Sequence, residues 1–270
     1  MAASFWSSSQ RKTWLFTQTQ LDELIRAQKE NCVLTSLERK HVMIYYTGMI
    51  ISLAKALKLR QQIISTACVF FKRYYLRHSL VPQRNNGIEP TLMLATCVYL
   101  ACKVEEAPVH IKSVSQVMTS NQMLGSQSSI DPSKISECEF YLMEGLEFYM
   151  IVFHPYNAVI MYIKDLSLSK QDRTVFLQTA WMIVNDTYKT DLPMLYPPHM
   201  IALAVIYLTA GMQENALKDV DFAAWFSRFN VGHNDVLILV QHLLDMYQVM
   251  SLYVEKDVSG LVSRLRSAQV

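Results

Sequence analysis

The chain has 270 residues, 51% of them apolar, so it is long enough for one or two domains with sizeable hydrophobic cores. Only 7 glycines and 8 prolines occur, which disfavours an all-β sandwich and favours helices. The 25 basic and 23 acidic residues leave a formal charge of +2 without a basic stripe, which argues against a nucleic-acid partner held mainly through phosphate contacts.

Helical periodicity dominates the first half of the chain. After an N-terminal helix near residues 20–29, the pattern predicts five helices, at 36–57, 61–78, 90–104, 111–120 and 132–147. Asp131 and Pro132 mark the start of the fifth, because aspartate caps free backbone N–H groups and proline fits the first helical position.

A second set of five helices follows and resembles the first. It is predicted at 155–165, 171–189, 198–212, 220–228 and 233–250, with a tail helix that reaches residue 266. The segment PTLMLATCVYLACKVEE, from Pro90, aligns with PHMIALAVIYLTAGMQE, from Pro198, at an offset of 108. The two helices before each segment align at offsets of 113 and 109. The chain is therefore predicted to be two copies of one five-helix unit.

The third helix of each copy is apolar on every side, which is typical of a helix surrounded by others. In the first copy this helix ends in LACKVEE, with Lys103, Glu105 and Glu106 at its end. Lys103 aligns with Gly211 of the second copy, although a lysine needed for folding alone would be expected in both. The difference favours a functional role for Lys103. A solvated surface pair with Glu139 is the alternative.

The cysteines and histidines do not follow the pattern of a metal site. The chain has five cysteines but no CxxC pair, and its seven histidines do not cluster at ligand spacing. Four cysteines in apolar helical sequence are expected in the core, in a reducing compartment: Cys68, Cys97, Cys102 and Cys138. The longest apolar runs are shorter than the ~20 residues that cross a bilayer, and the N-terminus lacks a signal-peptide core, so we expect a soluble intracellular protein.

The sequence LACKVEE, followed later by ECEFYLMEGLEF, resembles the first box of the cyclin family, and the two-copy layout is similar to the tandem cyclin fold. Within that family, Lys58–Leu80 and Trp181–Ala204 resemble the cyclin C group, the cyclins of the Mediator-associated kinase. The resemblance covers about residues 5–250. It implies an all-α fold with an N-terminal segment and helix at 1–35, a kinase-binding first cyclin box at 36–152, a second box at 153–250 and a tail helix at 251–270.

The resemblance also implies a function. A member of this group is a non-catalytic subunit that binds and activates a cyclin-dependent kinase, associates with Mediator kinase-module proteins and regulates transcription by RNA polymerase II in the nucleus. No cofactor, metal, direct nucleic-acid contact or membrane contact is implied.

Individual residues match the family's kinase contacts. In cyclins, the lysine of the KVEE-type motif and a glutamate that opens the fifth helix hydrogen-bond the kinase backbone beside its C helix, and these positions match Lys103 and Glu139. Apolar residues that pack on the kinase match four positions: Val104, Met143, Phe148 and Met150. The docking motif that cell-cycle cyclins use for RxL substrates is absent, since the first helix reads RKHVMIYYTGM, so RxL docking is not expected.

A second candidate site lies in the second copy, in TAWMIVNDTYKTDL. Trp181, Val184, Asn185 and Tyr188 fall at i, i+3, i+4 and i+7 on one helical face. Aromatic residues at this spacing are usually core residues, and that alternative stays open for Trp181. With Asp186 beside them, we hypothesise that Trp181, Asn185 and Tyr188 line a peptide-accepting groove between the repeats, which docks Mediator or a regulator.

Four aromatic residues lie in an N-terminal segment too polar to fold alone: Phe5, Trp6, Trp14 and Phe16. Such residues either pack the segment onto its own body or contact a partner, and the sequence leaves both alternatives open.

Other function classes fit less well. An enzyme would be expected to carry a phosphate-binding glycine loop, a nucleophile elbow, paired carboxylates or metal-ligand spacing. A general transcription factor of the TFIIB type shares the tandem fold but would be expected to have a zinc ribbon and a strongly basic surface. A kinase-independent helical scaffold remains as an alternative, and in such a scaffold Lys103 and Glu139 would not affect a kinase.

Overall fold

The structure is a computed structural model that describes residues 4–28, 33–82, 87–120, 130–218, 220–253 and 255–268. Every regular element in these ranges is a helix, so the all-α prediction is confirmed. The chain forms two compact units. Residues 1–152 together with 252–270 make unit 1, and residues 153–251 make unit 2. None of the helices described is both long enough and apolar enough to span a membrane.

Unit 1 contains the first seven helices and the last one. They are α1 (Ser9–Thr13), α2 (Gln18–Ala27), α3 (Ser36–Ala56), α4 (Gln61–Arg77), α5 (Pro90–Val104), α6 (Ile111–Ser120) and α7 (Pro132–Gly145). Unit 2 contains α8 (Tyr156–Asp165), α9 (Lys170–Thr187), α10 (Leu192–Leu195), α11 (Pro198–Met212), α12 (Phe222–Ser227) and α13 (His233–Ser251). The tail helix α14 (Glu255–Ser267) belongs to unit 1.

The helices predicted from periodicity are all present, and their ends differ by at most two residues from the prediction. The tail helix, expected at 251–270, is shorter and spans Glu255–Ser267, because Ser251 still belongs to α13. The predicted start of α7 is also confirmed, because the side chain of Asp131 accepts the backbone N–H of Ser133 ahead of Pro132. Periodicity missed α1, α10 and two 3₁₀ turns at Phe5–Ser7 and Glu214–Leu217. Each spans five residues or fewer, which is too short to show a repeating apolar face.

The tail helix α14 is attached to the beginnings of two other helices. Thr35 and Glu38 form a reciprocal capping box at the start of α3, and Glu89 caps the start of α5. Arg264 donates to Glu38 at 2.7 Å and Arg266 donates to Glu89 at 3.0 Å. The backbone hydrogen bond to Thr35, and then Arg264, lower the pKa of Glu38 from 4.5 to about 2. The last turn of α14 therefore closes over the N-terminal caps of α3 and α5.

Helix α5 is the centre of unit 1. It contacts α3, α4, α6 and α7, and all side chains from Met93 to Val98 are buried. The four predicted core cysteines, Cys68, Cys97, Cys102 and Cys138, are buried as expected. The equivalent helix of unit 2, α11, is enclosed by α8, α9 and α13. Because α5 is covered along its length, its C-terminal turn is the part that reaches the surface.

Three helices of unit 1 end in the same way, with a residue other than glycine in the left-handed position. The residues after α3, α5 and α7 include Lys58, Glu106 and Glu147, with φ angles of 55°, 52° and 52°. After α5, for example, the N–H of Glu106 donates to the Lys103 carbonyl at 3.2 Å, and the N–H of Ala107 donates to the Cys102 carbonyl at 2.9 Å. This pair of bonds is the Schellman motif, whose left-handed position usually holds glycine. The sequence therefore carried no glycine signal for these three sharp reversals.

Gly145, at the end of α7, is required by close packing on α4. A Cβ at this position would lie 2.8 Å from Cδ2 of the buried Tyr74 ring and 3.0 Å from Cε1 of His78. We predict that Gly145→Ala lowers the free energy of unfolding by about 1–3 kcal/mol, as overpacking typically does. The matched control is Gly48→Ala inside α3, where nothing lies within 4 Å of the added Cβ. Gly48→Ala should raise the free energy of unfolding by up to about 1 kcal/mol, because alanine favours the helix more than glycine does. Urea unfolding measures both, and equal shifts for the two variants would contradict this explanation.

Candidate partner-binding site

The only charged residue of α5 lies at its C-terminal end. Lys103 is in the last turn, where the helix dipole favours a cation by roughly 0.3–1 kcal/mol. Its Nζ donates to Oε1 and Oε2 of Glu139 in α7, at 2.7 and 2.9 Å. The same Nζ lies 4.4 Å from the ring centroid of Tyr99, one turn earlier in α5. The pair therefore joins the exit of α5 to α7.

The two members of this pair differ in exposure. The side chain of Lys103 is 42% exposed, whereas that of Glu139 is 10% exposed. Burial opposes the charge of Lys103, but the hydrogen bond and the negative charge of Glu139 outweigh it and raise the pKa of the lysine above 10.5. The lysine is therefore cationic at neutral pH and held in one orientation with its head accessible to a partner. A fully solvated surface pair does not describe this geometry, because the glutamate is nearly buried.

The two glutamates after Lys103 have structural roles that sequence reasoning did not assign. Glu105 accepts hydrogen bonds from Oγ1 of Thr66 at 2.6 Å and from Nε2 of Gln62 at 2.7 Å, which ties the end of α5 to the start of α4. Glu106 occupies the left-handed position that reverses the chain. These partners are 39 and 43 residues away in sequence, so no local pattern could reveal them.

The second half of α7 and the segment after it also carry exposed large apolar side chains, here called the α7 patch: Phe140, Tyr141, Phe148, Tyr149 and Ile151. Phe148 was predicted from the family pattern and is 65% exposed. The other predicted apolar contacts, Val104, Met143 and Met150, are half-buried. Sequence reasoning missed the other four members of the patch. The signal was the run EFYLMEGLEFYMI, which holds more large apolar residues than one buried helix face can accommodate.

The backbone that presents Phe148 is strained. Glu147 and Phe148 are consecutive non-glycine residues with positive φ, at 52° and 58°. Such conformations cost of order 1–3 kcal/mol each and persist only where the surroundings hold them, often at functional sites. The N–H of Phe148 is fixed by the carbonyl of Met143 at 2.9 Å, and that of Tyr149 by the carbonyl of Leu146 at 2.9 Å. The strained turn projects the Phe148 ring outwards.

The residues of the second candidate site lie on α9 and at its end, in unit 2. The ring of Trp181 is half-buried and packs at a tilt of 38° against the ring of Tyr156, with centroids 4.5 Å apart. Asn185 accepts a hydrogen bond from Tyr156 Oη at 2.8 Å, and Asp186 accepts one from Tyr247 Oη at 3.0 Å. Tyr188 is buried, so it contributes packing rather than surface. The groove between the repeats stays a prediction.

The N-terminal aromatic residues divide between the two alternatives. Trp14 is fully buried and Phe16 packs edge-on against it, with ring centroids 6.4 Å apart. Trp6 is exposed, and the guanidinium of Arg11 lies 5.1 Å from its ring centroid. Trp14 therefore attaches the segment to unit 1, whereas the ring of Trp6 is accessible to a partner. No cluster of metal-ligating side chains occurs among the residues that the structure describes.

A family model described as "Cyclin, N-terminal domain" matches residues 12–151, which contain Lys103, Glu139 and the whole α7 patch. The chain belongs to the cyclin family. This cyclin is 36% identical to Cyclin-C of Rattus norvegicus over 274 residues, which cover 98% of this chain and 91% of the rat protein. It is 34% identical to the RNA polymerase II holoenzyme cyclin-like subunit of Yarrowia lipolytica, with 95% of this chain and 96% of the yeast protein covered.

The cyclin is also similar to a chain in the structure of the CAK complex from Chaetomium thermophilum. The TM-score is 0.71 at 21% identity, with 97% of this cyclin and 88% of that chain covered. The predictions of a tandem cyclin fold and of similarity to the cyclin C group are confirmed by these comparisons.

We predict that Lys103→Met lowers the free energy of unfolding by about 1–2 kcal/mol, because it leaves the Glu139 carboxylate nearly buried without its cation. This is less than for a fully buried pair because Lys103 is partly solvated. Adding Glu139→Gln should restore much of the loss, since the remaining group is neutral. Urea unfolding of the two variants tests this. If Lys103→Met alone is as stable as the unmodified protein, the ion pair is merely a surface contact.

Proposed function

We propose that this cyclin is the non-catalytic regulatory subunit of a cyclin-dependent kinase that acts in transcription by RNA polymerase II, and that it works in the nucleus. Within the chain, residues 36–152 are the kinase-binding first box and residues 153–250 the second box. The observation that carries the proposal is the oriented Lys103–Glu139 pair beside the exposed α7 patch. The names of the similar proteins, Cyclin-C and RNA polymerase II holoenzyme cyclin-like subunit, support the same class of function.

The chemistry of the surface suits a protein partner. Large exposed apolar patches are rare on monomeric proteins and mark interaction sites, and the few residues that dominate binding energy at such sites are enriched in tyrosine, tryptophan and arginine. Lys103 and Glu139 supply a donor and an acceptor on packed helices, so little side-chain entropy is lost when they turn to a partner's backbone. The site thus combines an apolar anchor, Phe148, with polar groups that fix the orientation.

Activation requires binding energy but no catalytic group from the cyclin. A protein kinase is active when the glutamate of its C helix pairs with the lysine of strand β3 and its activation loop is placed. A partner that binds this state better shifts the population toward it, and a change from 1:99 to 99:1 requires about 5.5 kcal/mol of differential affinity. Stable interfaces bury on the order of 2,000 Å², which is large enough for such a difference to be attained.

We predict that Lys103→Ala combined with Glu139→Ala abolishes kinase binding, with at least a roughly 100-fold loss of affinity, while the helical fold is retained. Each cyclin-dependent kinase encoded by the same genome is expressed with the chain, and the one that co-purifies is used for affinity and phosphoryl-transfer assays. Circular dichroism checks the fold.

The control for this test is Arg228→Ala, which breaks an exposed 2.8 Å ion pair of unit 2 and leaves Asp165 in place as the hydrogen-bond acceptor of Trp225. It should leave kinase binding unchanged. Kinase activation that survives the Lys103 and Glu139 changes would favour the kinase-independent helical scaffold.

The second proposed partner is a Mediator kinase-module protein, docked on α9. The half-buried Trp181 beside Asn185 and Asp186 favours a peptide-binding surface, because an aromatic ring is flanked there by hydrogen-bonding groups.

We predict that Asn185→Ala with Asp186→Ala weakens association with Mediator proteins and leaves kinase binding unchanged, as measured by co-purification. Met182→Ala, an exposed residue of the same helix, is the control. If association with every non-kinase partner is unchanged, the surface on α9 is not a docking site.

A further inference from the structure

Beneath the strained turn lies a buried arginine that has no acidic partner within the part of the chain that the structure describes. Arg73, in α4, is 1% exposed, and its Nη1 donates to the carbonyl of Tyr149 at 3.3 Å. Among the residues that the structure describes, its Nε and Nη2 have no hydrogen-bond partner. Burial lowers its pKa to about 9, so the guanidinium still carries its charge at neutral pH. A buried cation of this kind needs compensation from some other group.

The compensation comes from the N-terminal segment. Trp14, the residue that ends α1, is 0% exposed, and the guanidinium carbon of Arg73 lies 5.0 Å from its ring centroid. The guanidinium carbon of Arg77, one turn further along α4, lies 4.3 Å from the same centroid. The face of an indole attracts cations, most strongly where water is excluded. The Nε1 of Trp14 has no hydrogen-bond partner among the described residues, so packing and the two cations hold the ring in place.

The same two arginines bind the strained turn after α7. Arg77 forms an ion pair with Glu147, the first left-handed residue, and Arg73 binds the carbonyl of Tyr149, the residue after the second. Phe148 lies between these two attachment points. The order of contacts is therefore Trp14, then the arginine pair, then the turn that projects Phe148.

We propose that Trp14 is a positioning residue for kinase binding, which holds Arg73 and Arg77 in the orientation that fixes the turn at 147–149 and so presents Phe148. Through these contacts, Trp14 of the N-terminal segment influences the affinity of the first box for the kinase without touching the kinase itself. This inference rests on the proposed function of the α7 patch as a kinase-binding surface.

The test compares Trp14→Leu with Trp14→Phe in the full chain. Both replacements are apolar and of similar size, but only phenylalanine keeps an aromatic face for the two guanidinium groups. We expect Trp14→Leu to weaken affinity for the co-purifying kinase about 10-fold and Trp14→Phe by less than about 3-fold. Backbone amides of residues 147–150 should exchange hydrogen faster in the leucine variant. Equal losses in the two variants would mean that Trp14 acts only as core packing, and would overturn the proposal.

Two further variants keep the result interpretable if position 14 affects folding. Arg77→Gln, at a partly exposed side chain, removes the ion pair with Glu147 and should reproduce the faster exchange at 147–150. Trp225→Leu removes a buried indole from unit 2 and should change neither the exchange at 147–150 nor the affinity. Unchanged exchange and affinity in Arg77→Gln would overturn the proposal.

The failure of this inference can be separated from the failure of the proposed function. If the unmodified chain binds no cyclin-dependent kinase, the proposed function fails, and the exchange measurement alone decides whether Trp14 fixes the turn. If the unmodified chain binds the kinase and Trp14→Leu binds it equally well, the function stands and the positioning role is rejected.

Discussion

The enclosure of α5 is the constraint on which the rest of unit 1 depends. A helix covered on all sides cannot carry charge along its length, because each buried unpaired charge would cost several kcal/mol. Its one lysine is therefore at the C-terminal turn, where the helix reaches the surface and the dipole favours a cation. Once Lys103 is there, Glu139 of α7 pairs with it and Glu105 is held by α4. The proposed kinase-binding surface is thus built around the C-terminal end of the core helix.

A second feature follows from the way α7 ends. Gly145 allows α7 to approach the ring of Tyr74 closely, and the chain then reverses through two left-handed residues. An exposed aromatic ring at such a turn is unfavourable for an isolated molecule, in both backbone strain and apolar exposure. A partner that covers Phe148 removes the apolar exposure, and the contacts beneath the turn hold the strained backbone ready for it. The turn that carries Phe148 is therefore both the source of the strain and apolar exposure in the free chain and the feature that suits this surface to a partner.

Much of this architecture was predictable from the sequence, because helices of ten or more residues with a clear period leave a strong pattern, and the family pattern located Lys103, Glu139 and Phe148. What was not predictable has two physical causes. Contacts such as Glu105 with Thr66 join residues far apart in the chain. The left-handed ends at Glu106 and Glu147 use residues that do not mark such turns, because no glycine stands there. The different placements of Trp6 and Trp14 were also beyond sequence, since Trp14 packs against two arginines of α4 that are far from it in the chain.

The central claim is that the kinase binds the α7 patch of unit 1. Photo-crosslinking tests it most directly, with p-benzoylphenylalanine placed at position 148 or at position 182, both exposed in the free chain. The account predicts crosslinks from position 148 to the segment of the kinase that contains its C helix, and none from position 182 in α9. Crosslinks to the kinase from position 182 but not from position 148 would contradict it.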